Sequence, residues 1–187
     1  LIDGLGASAA GLALLGPMLG SVAGSSISAR ILRKGKHYKR LPMIGSALSM
    51  VSLAVVGLLA GDVSFWVIEA LAALTAFGQG TLFPVGTVMV QNAANPRDLG
   101  TATGAYTFVR SLGSVVAIAV LGAIVGSAGI GEHISEGALA PEARESAVAA
   151  FRALFFAAAA AQLLSLALLS RIEERPLRGR TPPPVDE

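Results

Sequence analysis

Long, almost wholly apolar stretches alternate along this chain with short polar links. A membrane-crossing helix needs about twenty mainly apolar residues at a rise of about 1.5 Å each. Five stretches meet that length: 4–27, 41–61, 65–90 with Pro84 inside it, 100–126 with Arg110 inside it, and 149–169. None shows the strict alternation over about ten residues that marks a strand of a membrane barrel. The pattern predicts an all-α, polytopic membrane bundle of about five transmembrane helices.

The links alternate in charge, and that predicts an orientation. Arg30, Arg33, Lys34, Lys36, Lys39 and Arg40 follow the first stretch with no acid among them, a strong cytoplasmic signal. Gly61-Asp62-Val63-Ser64 is short and acidic, as expected outside. Gln91 to Leu99, with Arg97 and Asp98, returns inside. The link from Ser127 to Val148 sets Glu132, Glu136, Glu142 and Glu145 against Arg144, so it belongs outside. Arg171, Arg175, Arg178 and Arg180 place the last segment inside, because the neighbouring Glu173 and Glu174 weigh little. The expectation is therefore a bundle over 1–170, its N-terminus outside, and a disordered cytoplasmic tail over 171–187, rich in proline near its end. Pro141 followed by acids suits the start of a short helical segment leading into the fifth span. A start at Leu1 without a charged leader reads as a fragment of a longer product.

Composition fits lipid as the solvent. Hydrophobic residues make up 53% and charged ones 14%, against about 25% charged in a soluble domain. Mean hydropathy is +0.68. The chain has no cysteine, which excludes a disulfide framework and thiolate metal sites. The net charge of +2 and pI near 9.4 follow from the basic links, so no nucleic-acid partner is implied. His37 and His133 stand far apart, and no metal cluster, phosphate loop or triad is spelled out. An enzyme is not expected.

Helices in lipid associate through close backbone approach more than through apolar burial. Gly16, Gly20 and Gly24 recur at four-residue spacing on the first stretch, as do Gly122 and Gly126 on the fourth, which opens on Gly100 and Gly104. Gly78-Gln79-Gly80 followed by Pro84 softens the third helix at depth. Two readings stand, a bending helix that lines a cavity and a static packing kink. Gln79 can hydrogen-bond a ligand or a neighbouring helix. Arg110, on the order of 15 Å into its helix, either contacts an anion, a substrate or a relay acid, or snorkels to the headgroups. Glu69, near the outer interface, either takes up protons from outside or simply reaches water. Trp66 and Tyr38 suit interfacial anchoring, and Asn95-Pro96 suits a helix start.

Two segments carry a family resemblance. GSVAGSSISARILRKGKHYKR, residues 20–40, resembles the second copy of the cytoplasmic signature loop of major facilitator transporters, with Gly24, Arg30, Gly35 and Lys36 at the matching positions. Ala29 stands where the stronger, first copy carries an acid. FGQGTLFPVGTVMVQNAANPRDLGTATGAYTFVRSLGSVVAIAVLGAI, residues 77–124, is similar to the late helices of the fourteen-helix drug/proton antiporter branch. The resemblance implies the last five helices of such a transporter, most of its C-terminal bundle, working against a separate N-terminal bundle by alternating access. It implies export of drugs or other hydrophobic or cationic small molecules, with the proton gradient as energy source and no cofactor. The main proton-carrying acids would lie in the N-terminal half. Lipid, the N-terminal bundle and a small-molecule substrate are the implied partners, and the cell membrane the implied location. Candidates for the translocation route are Gln79, Pro84 and Arg110, with Glu69 for proton coupling. A major facilitator transporter of another solute (a metabolite, sugar or peptide) and a five-helix scaffold that transports nothing are the alternatives.

Overall fold

The structure, a computed structural model, describes residues 11–34, 38–59, 64–127, 141–172 and 174. Five long helices make it up: α1 (Leu15–Lys34), α2 (Arg40–Leu59), α3 (Phe65–Ala93), α4 (Leu99–Ser127) and α5 (Pro141–Arg171). A single 3-10 turn, Pro96–Asp98, joins α3 to α4. There is no strand among the described residues. Four helical stretches are long and apolar enough to cross a membrane: Arg40–Leu59, Phe65–Ala93, Pro96–Ile124 and Glu145–Arg171.

Of the first helix, expected over 4–27, the described part is helical at 11–12, turns at Ala13–Leu14 and is helical again from Leu15. Its regular part begins at Leu15 and runs on to Lys34, so Arg30 and Arg33 lie within it. Pro17 gives the reason. It has no N–H to donate to Ala13, and its ring crowds that carbonyl, so the chain turns at Ala13–Leu14 and the helix restarts with Pro17 in its first turn. The described part of α1 therefore carries three basic residues and is not among the four apolar spans; its expected apolar start at 4–10 lies outside the described residues. Gly35, Lys36 and the tail from 175 onward lie outside them as well. At the other end of the chain, a helix opens on Pro141, as expected, and runs unbroken into the fifth span.

Helix α3 is the spine of the bundle. It packs against α1 on one side and α2 on another, while α5 lies against α2 and α4 leans on α3 and α5. Small residues allow this. A Cβ on Gly16, Gly20 or Gly24 would meet Glu69, Ala73 or Phe77, and Ser28 Oγ donates to the Thr81 carbonyl at 2.9 Å. Each contact joins residues 53 apart in sequence, so α1 and α3 run parallel and in register for three turns. That is the close approach expected of the Gly16-Gly20-Gly24 stripe.

The seam between α2 and α3 was not read from the sequence. Gly45, Ser46, Ser49 and Ser52 are buried there, and Ser49 Oγ donates to the Thr75 carbonyl at 2.8 Å. Gly45 and Gly78 face each other so closely that neither tolerates a Cβ. On α4 the opposite holds. Nothing lies within 4 Å of a Cβ built on Gly100, Gly104, Gly122 or Gly126. None of the apolar stretch of α4 is buried in this chain, and Phe108, Val115 and Ile118 are each exposed by more than 60%. Side chains of this kind are stable only in lipid or against other protein.

One end of the bundle collects the bases. Lys39 Nζ donates to the Ser170 carbonyl at 2.9 Å and to the Ile172 carbonyl, and its backbone N–H donates to Glu174 Oε1 at 3.2 Å. An ammonium on the last carbonyls of α5 satisfies groups the helix leaves free and complements its dipole. The contact puts the start of α2 and the end of α5 at the same level. Because α1 parallels α3, the ends of both helices join them, together with Arg30, Arg33, Arg97 and Arg171. Tyr38, expected as an interface anchor, is only 3% exposed within this end, whereas Trp66 at the opposite end is 72% exposed.

Removing a single interhelical hydrogen bond should matter little. Ser28→Ala is expected to lower the stability of the whole protein by about 0.6 kcal/mol, the usual worth of such a bond in a membrane bundle. Equilibrium unfolding in mixed micelles measures it; a loss above about 2 kcal/mol would mean Ser28 holds more than this one bond.

Candidate functional site

Between α3, α4 and α5 lies a cavity of about 330 Å³. Helices α3 and α4 are antiparallel, and three pairings down their seam build one wall. Gln91 Nε2 donates to Thr103 Oγ1 at 3.3 Å near the basic end. Deeper in, Tyr106 lies over Gly86, with its hydroxyl where a Cβ would stand. Deeper still, the Arg110 guanidinium sits over the Phe83 ring, 3.5 Å from its centre. Across from this wall, Gln79 Nε2 donates to Gln162 Oε1 on α5 at 3.3 Å, and Leu169 closes the side toward the basic end.

Depth follows from helix geometry. Arg110 stands eleven residues after Leu99, or roughly 16 Å along α4, about half of a hydrocarbon layer of about 30 Å. Both readings of Arg110 therefore bear on a residue placed at this depth. It lies against an aromatic ring and lines the cavity. A guanidinium over a phenyl face gains about 0.5–2 kcal/mol, which offsets part of the cost of holding it at depth.

Of the expected route residues, Gln79 and Arg110 meet in this cavity; Pro84 does not line it. Helix α3 continues through Pro84, which removes the bond to the Gly80 carbonyl, and its neighbours Phe83 and Val85 reach the cavity instead. Glu69 lies far from it. Its Oε1 accepts the Gly16 N–H at 2.8 Å, a donor left without a helical partner by the turn before Pro17. A carboxylate at this helix start suits both the free N–H and the dipole. Gly24 serves the α1–α3 contact, and Arg30 is exposed near the end of α1.

Tyr106 lines the cavity, and Gln162 stands behind it as the partner of Gln79; neither is singled out by the sequence pattern. Gln162 is 7% exposed, and its Nε2 has no hydrogen-bond partner. A buried, unpaired amide N–H₂ is uncommon, since such groups cost about 1–3 kcal/mol unless something accepts from them. The signal available in sequence was a lone glutamine in an alanine and leucine run. A second hollow, more open and lined by Gln91 and Thr103 with Gly100 and Gly104, lies near the basic end of α4 and holds no charged residue among the described residues. Among the described residues no three His, Asp or Glu side chains group to hold a metal ion.

The sequence model of the Major Facilitator Superfamily matches residues 2–186. The chain is 32% identical over 117 residues to the Uncharacterized MFS-type transporter Rv1877 of Mycobacterium tuberculosis, covering 60% of this chain and 16% of that protein. It is 26% identical over 120 residues to a Tetracycline resistance determinant of Streptomyces rimosus, covering 64% of this chain and 35% of that protein. It is 29% identical over 111 residues to the MFS-type transporter TwmF of Talaromyces wortmannii, covering 59% and 20%. The chain thus spans between about a sixth and a third of the relatives it matches. No solved structure matches it significantly.

Proposed function

The chain belongs to the major facilitator superfamily of membrane transporters, and on that premise we propose that it forms most of the C-terminal bundle of a proton-driven exporter of hydrophobic small molecules. Such proteins work by rocking two bundles about a site near the bilayer midplane. The observation that carries the reading is the cavity at that depth, where Arg110, Tyr106 and Gln79 reach a space walled by Phe83 and Leu169. The small-residue seams support it, since α1, α2 and α3 then move as one unit while the exposed face of α4 stays available for neighbouring protein or lipid. The drug/proton antiporter branch is favoured by the similarity to a Tetracycline resistance determinant. The basic end is the cytoplasmic one in this reading, in the cell membrane.

The test is transport. Vesicles of the whole protein, given an inward-acid gradient, are expected to accumulate a lipophilic dye and to lose it when the gradient is collapsed. Equal dye movement with and without the gradient would contradict the proposal. Glu69→Gln separates coupling from packing. Glutamine keeps an oxygen for the Gly16 N–H, so gradient-driven transport is expected to change by no more than about twofold. Loss of coupling with dye leak retained would instead make Glu69 a proton carrier.

A further inference from the structure

The polar groups around the α3–α4–α5 cavity are one-sided. Arg110 has only donors, Tyr106 offers a hydroxyl, and among the described residues no Asp or Glu lines the space. The Gln79–Gln162 pair is balanced in donors and acceptors, so the surplus of donors comes from Arg110. The Gln162 amide nitrogen is buried and has nothing to donate to. At this depth, donors in surplus make a poor site for a cation and a good one for an acceptor.

We propose that this wall binds the anionic or acceptor end of an amphipathic molecule, such as a carboxylate or phenolate on an aromatic body. A guanidinium fork matches a carboxylate with two parallel bonds, and the Phe83 ring beneath it holds the fork in plane. The Tyr106 hydroxyl, fixed over Gly86, adds a third donor from the same wall. Leu82, Met89 and Leu169 receive the apolar body. The volume of about 330 Å³ lies at the lower end of the usual range for small-molecule sites, which suits one or two fused rings. The inference rests on the transporter reading and narrows its substrate: the wall disfavours the cationic compounds that the family resemblance implies.

Three probes with one ring system test it on the whole protein purified in detergent: 2-naphthoate, 2-naphthalenemethanol and 2-naphthylmethylammonium. Thermal shift titrations are expected to give naphthoate an affinity at least about tenfold above the ammonium, with the alcohol between them. Arg110→Gln is expected to erase that preference, and Arg110→Lys to keep part of it. If the glutamine variant does not fold, Tyr106→Phe carries the test, with naphthoate weakened several-fold and the ammonium unchanged. The proposal is overturned if the ammonium binds as well as naphthoate, if no probe binds, or if Arg110→Gln leaves the preference intact. Its failure is separable from that of the transporter reading. A protein that pumps dye yet prefers the ammonium refutes only the anion wall. One that selects naphthoate through Arg110 yet moves nothing along a proton gradient refutes only the pump.

Discussion

Gly24→Leu is expected to unfold the bundle, and Gly20→Leu to do the same. At Gly24 a Cβ would fall on the Phe77 carbonyl oxygen, with the carbonyl carbon only 3.0 Å away; at Gly20 it would meet the Ala73 carbonyl in the same manner. These neighbours are backbone atoms of α3, and a rotamer change cannot clear them. The helices would have to separate, and the register would go with them: Ser28 would leave Thr81, and Glu69 would leave Gly16. Overpacking of an ordinary core costs about 1–3 kcal/mol, and a clash with main chain lies at or above the top of that range. Size-exclusion profiles of the detergent-solubilised protein would show aggregate where wild type gives a single peak. Gly104→Leu on the open face of α4 is the control, because nothing within 4 Å of that position would be displaced in this chain.

The second large effect falls on transport and leaves the fold intact. Arg110→Ala is expected to lower gradient-driven efflux at least about thirtyfold, since losing a hydrogen bond from a charged group to the moving substrate costs about 2 kcal/mol or more. Stability should fall by no more than about 2 kcal/mol, because Arg110 is exposed and meets α3 over the Phe83 ring. Initial rates in vesicles, normalised to folded protein, give the measurement. Efflux within threefold of wild type would remove Arg110 from the route.

These two predictions draw on different amounts of sequence information. The Gly16-Gly20-Gly24 stripe was legible because its spacing is that of one helix face, and its partners sit at the same spacing on α3. The equivalent stripe on α2, from Gly45 through Ser49 to Ser52, follows the same rule but is not legible, because serine in an apolar run does not single itself out. The turn at Ala13–Leu14 within the first stretch is not legible from hydropathy, which counts Pro17 as one more small residue and takes no account of its missing N–H. The cavity was half legible. Gln79 and Arg110 stand out as polar residues at depth. Their meeting depends on how α3 and α4 cross, and Gln162 lies 83 residues from the glutamine it bonds. Which side of a helix faces which neighbour is set by packing, and no spacing within one helix encodes it. Gly122 and Gly126 make the converse point, since their spacing matches the α1 stripe yet none of the described residues lies within 4 Å of a Cβ built there.

The central claim is that the helices thread the membrane with one basic end inside. The chain contains no cysteine, so single cysteines can report on it directly, any others in the whole protein having been replaced. Ser64→Cys at the start of α3 and Ser170→Cys beside Lys39 lie at opposite ends of the bundle, and both positions are exposed. In intact cells a membrane-impermeant maleimide should label the Ser64 variant, and the Ser170 variant only after permeabilisation. Labelling of both from outside, or of neither until the membrane is opened, would contradict the threading and the transporter built on it.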